Sequence, residues 1–363
     1  MTLFRTLLAT AGLSDFTGRF DLVPSPREAG RGDKSRISQV CAIAFAIGGI
    51  VFGAMGAAQA QSFPSRPITL VVPFAAGGPT DTIARIFADR LRTSLGQTVV
   101  VENTTGAAGT IGTGRVVRAT PDGYTVLIGH WSTHVANGAI YPLTFDLLND
   151  FEPISLIASN PQLLVAKKAA PAKDLQELIA WVKANQDKIS AGTAGAGAAS
   201  HVSGVYFQSV TGTKFTFVPY RGTGPALQDV VAGNLDLMFD QAASALPQVR
   251  NGNVKAFAVT AKTRLASEPN IPTVDEAGLP NFYIAVWHAL WLPKGTPKDI
   301  VMRMNAAVRE ALADPAVQKR LVELGQDIPP PDQQTPEALY AYHKAEIEKW
   351  HPIIKAAGIK PEQ

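Results

Sequence analysis

Beyond residue 60, short apolar runs alternate with segments whose apolar residues recur at helical spacing. Ile68-Thr69-Leu70-Val71-Val72 is a compact run closed by Pro73, the pattern of a buried parallel strand. Ile83, Ile86, Phe87 and Leu91 then fall on one face of a helix that ends at Gly96. Thr80 is expected as its N-cap and Asp81 in its first turn. Val99-Val100-Val101 predicts the next strand, and Tyr124 to Ile128 a third, entered from the turn Pro121-Asp122-Gly123 and left at Gly129. Strand, helix and strand in this rhythm imply an α/β fold, a mainly parallel sheet flanked by helices.

The apolar stretch from Ile154 to Lys167, interrupted by Asn160-Pro161, predicts a strand that crosses out of this first domain. A second domain on the same plan follows. It has a helix over 175–183 with Asp174 near its start, a strand over 215–219 and a helix over 225–231. Strands over 235–239, ending at Asp240, and over 254–260 complete it. Phe282 to Leu292 predicts the return crossing. Helices follow with apolar positions at Ile300, Val301, Met304 and Val308, then over about 315–324 and 336–357. The expected division is therefore a discontinuous domain 1, residues 61–160 and 288–363, and a domain 2, residues 161–287. Folds of this kind take ligands at strand C-terminal ends, in the crevice between domains.

The first 60 residues stand apart from this pattern. Val40 to Ala58 is apolar and uncharged, is preceded by Arg31, Lys34 and Arg36, and ends in Ala58-Gln59-Ala60. This is the form of a secretory signal cleaved after Ala60, a membrane anchor being the other reading of the run. Residues 1–34 fit no part of such a signal and suggest a misplaced start or a disordered extension. The only cysteine, Cys41, lies in the segment that would be removed, so the exported chain would fold without disulfides on the strength of its core. Removal also takes six of 33 basic and four of 30 acidic residues, leaving a nearly neutral chain with no basic surplus for nucleic acid.

Two glycine-rich loops carry the candidate chemistry. The first, Val72-Pro73-Phe74-Ala75-Ala76-Gly77-Gly78-Pro79-Thr80-Asp81, joins a strand to a helix. The second, Ala191 to His201, has three glycines and five alanines over 191–199, with Thr193, Ser200 and His201 as its polar groups. Each presents backbone N–H groups at a helix start, where the helix dipole favours an anion, and neither holds a lysine or arginine. Gly195 to Ser200 approximates a dinucleotide fingerprint, but the strand after it ends Val218-Pro219-Tyr220-Arg221, with no acid for a ribose. A third loop, Gly129-His130-Trp131-Ser132-Thr133-His134, adds hydroxyls. Its two histidines lack the glutamate of a zinc helix, so no metal is expected. His134 and His201 read more readily as hydrogen-bonded structural groups, and Asp81 equally as a first-turn acid. Asp240 could be a base, a partner for an amine, or a group that orders the cleft. There is no G-x-S-x-G elbow and no Walker loop, and Ser200 and His201 are adjacent, too close to share the geometry of a Ser–His pair. The groups suit binding better than catalysis.

Collinear stretches across both domains resemble the Bug (Bordetella uptake gene, TctC-like) substrate-binding receptors of tripartite tricarboxylate transporters. They include the first glycine loop, Val101-Glu102-Asn103, Gly106-Ala107-Ala108-Gly109, Pro121-Asp122-Gly123-Tyr124, Asp150-Phe151-Glu152-Pro153, Val218-Pro219-Tyr220-Arg221-Gly222 and Pro272 to Gly278. The resemblance implies a type II-like two-domain periplasmic binding protein that closes on a small carboxylate: a dicarboxylate, tricarboxylate, aromatic acid or acidic amino acid. It implies carboxylate contacts from Phe74, Gly77, Gly78 and Thr80 on one side and Thr193, Gly195 and Ser200 on the other. Ser132, Thr133, His134 and Asp240 would tune selectivity, with Asp81 and His201 also near the ligand. Trp131 departs from the family's small polar third loop. A monomeric receptor without cofactor, delivering its ligand to membrane permease subunits, is the implied role. A periplasmic sensor's ligand-binding partner and an exported carboxylate-processing enzyme are the alternatives.

Overall fold

The computed structural model describes residues 63–360; the expected export signal and its cleavage after Ala60 lie outside them. The strands are β1 (Ile68–Val72), β2 (Val99–Asn103), β3 (Thr125–His130), β4 (Phe151–Lys167), β5 (Ser190–Thr193), β6 (Thr216–Pro219), β7 (Leu237–Gln241), β8 (Val254–Val259) and β9 (Ala285–Pro293). The helices are α1 (Pro79–Leu95), α2 (Thr110–Val117), α3 (Asn137–Ile140), α4 (Leu175–Ala184), α5 (Ala199–Thr211), α6 (Thr223–Ala232), α7 (Ala242–Arg250), α8 (Lys298–Ala313), α9 (Pro315–Glu323) and α10 (Pro336–Ala356).

Hydrogen-bonded neighbours run β2-β1-β3-β9-β4-β7-β5-β6, with β8 added to β4. At one end β1 lies parallel to β2 and β3, Leu70 facing Val101 and Val126. At the other, β5 lies parallel to β6 and β7. The antiparallel strands β9 and β4 join the two ends. β9 arrives from late in the chain and inserts between β3 and β4, so the first half of the sheet is built from both ends of the sequence.

β4 is the spine of the sheet. It runs unbroken through Asn160-Pro161, the point where its apolar pattern is interrupted. Up to Pro161, which faces Ala285, it pairs with β9; from Gln162, which faces Gln241, it pairs with β7. The proline, which has no N–H to give a ladder, falls where the strand changes partner. Alternation along the same strand sends Leu163 and Val165 into one core with Leu227, Val230 and Leu246, and Leu164 and Ala166 into another with Leu178, Phe207 and Phe239. In the first half, Ile83, Phe87 and Leu91 of α1 pack on Leu70 and Val72 with Met304 and Val308 of α8. The opposite face is filled by Trp131, Trp287, Trp291, and Leu339 and Ile354 of α10.

Three local features differ from the sequence expectation. The N-cap of α1 is Gly78, with Pro79 opening the helix, so Thr80 already lies inside its first turn. Proline's fixed φ suits that opening position and moves the boundary two residues back. Residues Ser132–Ala136 form a π-helical turn directly after β3. Helices α2 and α7, short and rich in small residues, carry little apolar periodicity to announce them.

Candidate ligand-binding site

The first glycine loop is held from below by a buried acid. Gly77 takes a positive φ of 79°, and its N–H donates to Asp81 Oδ2 at 3.0 Å. Arg85 donates to both Asp81 oxygens at 3.0 Å, and Asn103 Nδ2 reaches Oδ1 at 3.1 Å and the Phe74 carbonyl at 2.9 Å. Burial pushes the Asp81 carboxyl up, but Arg85, the Gly77 amide and Asn103 together hold it below its ordinary range. Asp81 is thus fully engaged in shaping the loop. The loop exposes Phe74, Gly78, Pro79 and Thr80 to a small interior cavity.

The second loop faces it from the other half of the sheet. Ser200 Oγ turns back to accept the Ala194 N–H at 3.0 Å, and Thr193 Oγ1 accepts that of Gly195 at 3.3 Å. His201 Nδ1 accepts the Gly197 N–H at 3.3 Å while its ring packs on Phe217. Ser132 contributes across the gap: its Oγ accepts the Ala199 N–H at 2.8 Å, satisfying one free donor of α5. The two halves also meet where Ala75 N–H donates to the Arg221 carbonyl (3.0 Å) and Tyr141 O–H to that of Ala196 (2.6 Å). At Gly224 the approach is so close that a Cβ would lie 2.9 Å from backbone atoms of Ala76, Gly77 and Gly78.

The remaining lining comes from strand ends. Asp240 is completely buried; its Oδ1 accepts the Gln241 N–H at 2.9 Å and its Oδ2 the Ser244 hydroxyl at 2.5 Å. Burial pushes its pKa up to about 6, against the downward pull of Ser244, Thr223 and the Gln241 amide. Thr223 faces the carboxyl without a well-formed hydrogen bond, its buried Oγ1 being unpartnered by geometry. Gln241 Oε1 is likewise buried and unpartnered. Gln162, opposite Gln241 in the ladder, accepts from Ser203 Oγ through its carbonyl, which leaves its amide N–H groups as donors.

His130 completes the wall and His288 stands behind Thr80, both as neutral rings. His130 stacks on Phe74 at 4.7 Å, and burial lowers its pKa to about 3. Its Nδ1 accepts the Ser132 N–H at 3.0 Å, so the ring proton resides on Nε2. His288 is also held neutral, chiefly by burial. Its Nε2 lies 3.2 Å from Thr80 Oγ1, while its Nδ1 is buried with no partner. An unpaired acceptor costs less here than an unpaired N–H, which places the proton on Nε2, donating to Thr80. The Thr80 hydroxyl hydrogen is then free to point at a ligand.

The cavity has a volume of about 20 Å³, and four helices begin at its wall: α1 at Gly78, α5 at Ala198, α6 at Thr223 and α7 at Gln241. None of the four carries an N-cap side chain on its own first turn; α2, α3 and α8, away from the cavity, lack one too, while α4, α9 and α10 are capped by Asp174, Asp314 and Thr335. No lysine or arginine lines it. Converging helix dipoles and free N–H groups in a low-dielectric pocket bind an anion without a counter-cation.

Of the residues expected at the site, Phe74, Gly78, Thr80, Ser200 and Asp240 line this cavity. Gly195 instead borders an outer basin formed with Gly106 to Gly109 and Arg221. Gly77, Asp81, Thr193, Ser132 and His201 stand behind the wall in the bonds described above. Thr133 Oγ1 accepts the His130 N–H, and His134 is stacked on Trp291 at 3.6 Å, away from the cavity. The lining residues that sequence reasoning passed over are His130, Gln162, Thr223, Gln241 and the small side chains of Pro79, Ala194, Ala198 and Ala199. The polar Gln162 and Gln241 inside apolar strands were the available signal. Among the described residues no group of acids and histidines is arranged to hold a metal.

Residues 83–359 match the sequence profile of the tripartite tricarboxylate transporter family receptor. The chain belongs to this family. It is 43% identical over 303 residues to the UPF0065 protein of the TAR-I ttuE-ttuC' intergenic region of Agrobacterium vitis, covering 83% of this chain and 87% of that protein. Among solved structures it is similar to the periplasmic binding protein BugD, with 42% identity, a TM-score of 0.80, and coverage of 82% of this chain and all of that one. MatC of Rhodopseudomonas palustris, solved with bound malate, is 42% identical at a TM-score of 0.77, covering 80% of this chain and all of MatC. The family role is that of a solute-binding receptor rather than an enzyme, and the α/β two-domain fold of periplasmic binding proteins is that of this tripartite tricarboxylate receptor too.

Proposed function

We propose that this receptor captures a small carboxylate in the cavity between residues 61–160 with 288–363 on one side and residues 161–287 on the other. The observation that carries the reading is the convergence of four helix starts on one buried pocket without a lysine or arginine. The change of partner along β4 at Pro161 supports the division into two lobes. Malate bound to MatC supports a carboxylate as the ligand.

Binding works by closure. A ligand that takes hydrogen bonds from both lobes stabilises the closed form by its differential affinity for that form. The mature receptor acts in the periplasm after cleavage behind Ala60, as a monomer, and passes its ligand to membrane permease subunits. No helix among the described residues is long and apolar enough to cross a membrane.

The test is a thermal-shift screen of the purified protein against small carboxylates, with mass spectrometry of each hit after incubation. A ligand that raises the melting temperature and is recovered intact is the expected result. A chemically altered ligand would overturn the receptor reading.

A further inference from the structure

A second concave space lies outside the inner cavity and shares no lining residue with it. Val202, Val205 and Tyr206 of α5 form one wall, and Trp350, Ile353 and Ile354 of α10 form the other. Its volume is about 300 Å³, against about 20 Å³ for the inner cavity. A cavity of about 150 Å³ holds one benzene ring, so this groove admits a molecule of one or two rings. Its walls are apolar and aromatic, and no charged residue lines it. That lining excludes an anion, which would lose its hydration there and find no partner. Tyr206 is 42% exposed and Ile353 50% exposed, large apolar surfaces left in water on facing walls.

The groove also holds one unanswered donor. Trp131, 1% exposed, is part of its lining, and the Trp131 indole N–H is buried without a hydrogen-bond partner. The neighbouring indoles of Trp287 and Trp350 both donate to Glu346 Oε2, at 3.1 and 3.2 Å. An orphaned buried N–H is uncommon and costs the folded state. Trp131 is the residue that departs from the small polar third loop implied by the resemblance, and the inner cavity makes no use of it.

We propose that this groove is a second ligand site, for a neutral molecule of one or two rings that carries an acceptor oxygen, as in a ketone, ester or ether. The rings lie between α5 and α10, and the oxygen accepts from Trp131 Nε1. Burial of the rings supplies most of the affinity, and the single polar contact fixes their orientation. The two sites are joined by α5. Its first residues, Ala199 and Ser200, line the inner cavity, and Val205 stands about 9 Å further along the helix.

The experiment is a ligand-observed NMR titration of the purified protein with acetophenone and with α-methylstyrene, in which a methylene replaces the carbonyl oxygen. Both probes are expected to bind saturably. Trp131→Phe is expected to weaken acetophenone about fivefold and to leave α-methylstyrene within about twofold, the difference being one buried hydrogen bond. Val205→Glu and Ile353→Glu, one on each wall, are each expected to weaken both probes about tenfold or more, since each sets a charge against an apolar ligand. Ile353 is half exposed, so its variant keeps the fold. If Trp131→Phe does not fold, the indole N–H resonances of the wild type read the same bond: acetophenone moves one of them downfield and α-methylstyrene does not. Saturable binding of neither probe would overturn the proposal, as would binding that both wall variants leave unchanged. Equal weakening of the two probes by Trp131→Phe would overturn it too. Self-association in sedimentation that both glutamate variants abolish, with no probe bound, would give the groove to a second copy of the chain instead. Each of these outcomes leaves the carboxylate reading of the inner cavity untouched.

Discussion

Asp81 and Asp240 are two buried aspartates beside one cavity, and their surroundings drive them in opposite directions. Asp81 is met by a guanidinium, a backbone N–H and an asparagine amide, and its carboxyl is held below the ordinary range. Asp240 is met only by neutral donors, and burial pushes it up to about 6. The first acid spends its bonding capacity on protein and fixes the shape of a loop. The second keeps capacity in reserve, at a cost to the folded state. A buried polar group whose burial is not offset is the mark of a site that awaits a partner.

The largest effect that would break this contrast is at the first acid. Asp81→Ala removes the acceptor of the Gly77 N–H, one of the two acceptors of the Asn103 amide and the partner of Arg85, and is expected to cost about 3 kcal/mol in urea unfolding. A cost below about 1 kcal/mol would show that the loop holds its shape without the acid. Asp240→Asn should act the other way and stabilise the protein above pH 6 by about 2 kcal/mol. The sign follows from linkage. Because the folded-state pKa of about 6 exceeds the ordinary aspartate value of 3.8, the group makes the wild type lose stability as pH rises from about 4 to about 6. His130, His134, His201, His288 and His343 are all lowered by burial and act oppositely, contributing stability above about pH 6.5 that is lost as pH falls. The slope to measure is therefore the difference between wild type and Asp240→Asn. An unchanged difference from pH 4 to 8 would mean that Asp240 titrates like a solvated acid.

Smaller changes sharpen the picture. Gly224→Ala places a Cβ against the backbone of the first glycine loop only when the halves are together. It should leave the melting temperature nearly unchanged and weaken the acid identified by the screen about tenfold, 1.4 kcal/mol; full affinity would argue that binding does not need this close approach. Arg85→Ala should cost less than about 1 kcal/mol, since the Arg85 side chain is half exposed. If it matched Asp81→Ala, the ion pair rather than the hydrogen bonds to Gly77 and Asn103 would be what holds the loop.

The strand and helix sequence, the excursion of the chain at β4 and its return at β9, and both glycine loops were legible in the residue pattern, because each has a local signature. The inward-facing groups were less so. His130 reads as a strand end, and Gln162 and Gln241 meet only because β4 and β7 are paired in register, a long-range fact with no local trace. Thr223 was hidden because its helix begins two residues earlier than the apolar pattern suggested. Conversely Ser132, Thr133 and His134 look like site residues in sequence, being polar and next to a strand end. The π-helical turn rolls them inward, where they brace α5, β3 and Trp291.

The insertion of β9 between β3 and β4 also governs the order in which the molecule can be made. Synthesis delivers the chain from its N-terminus, and by residue 167 it has supplied β1 to β4. Those strands cannot close their sheet, because the strand that joins β3 to β4 arrives only at residues 285–293, and the helix that covers His134 later still. The second half, contiguous in sequence from its share of β4 onward, is complete before β9 appears. The first half stays open until most of the chain has emerged.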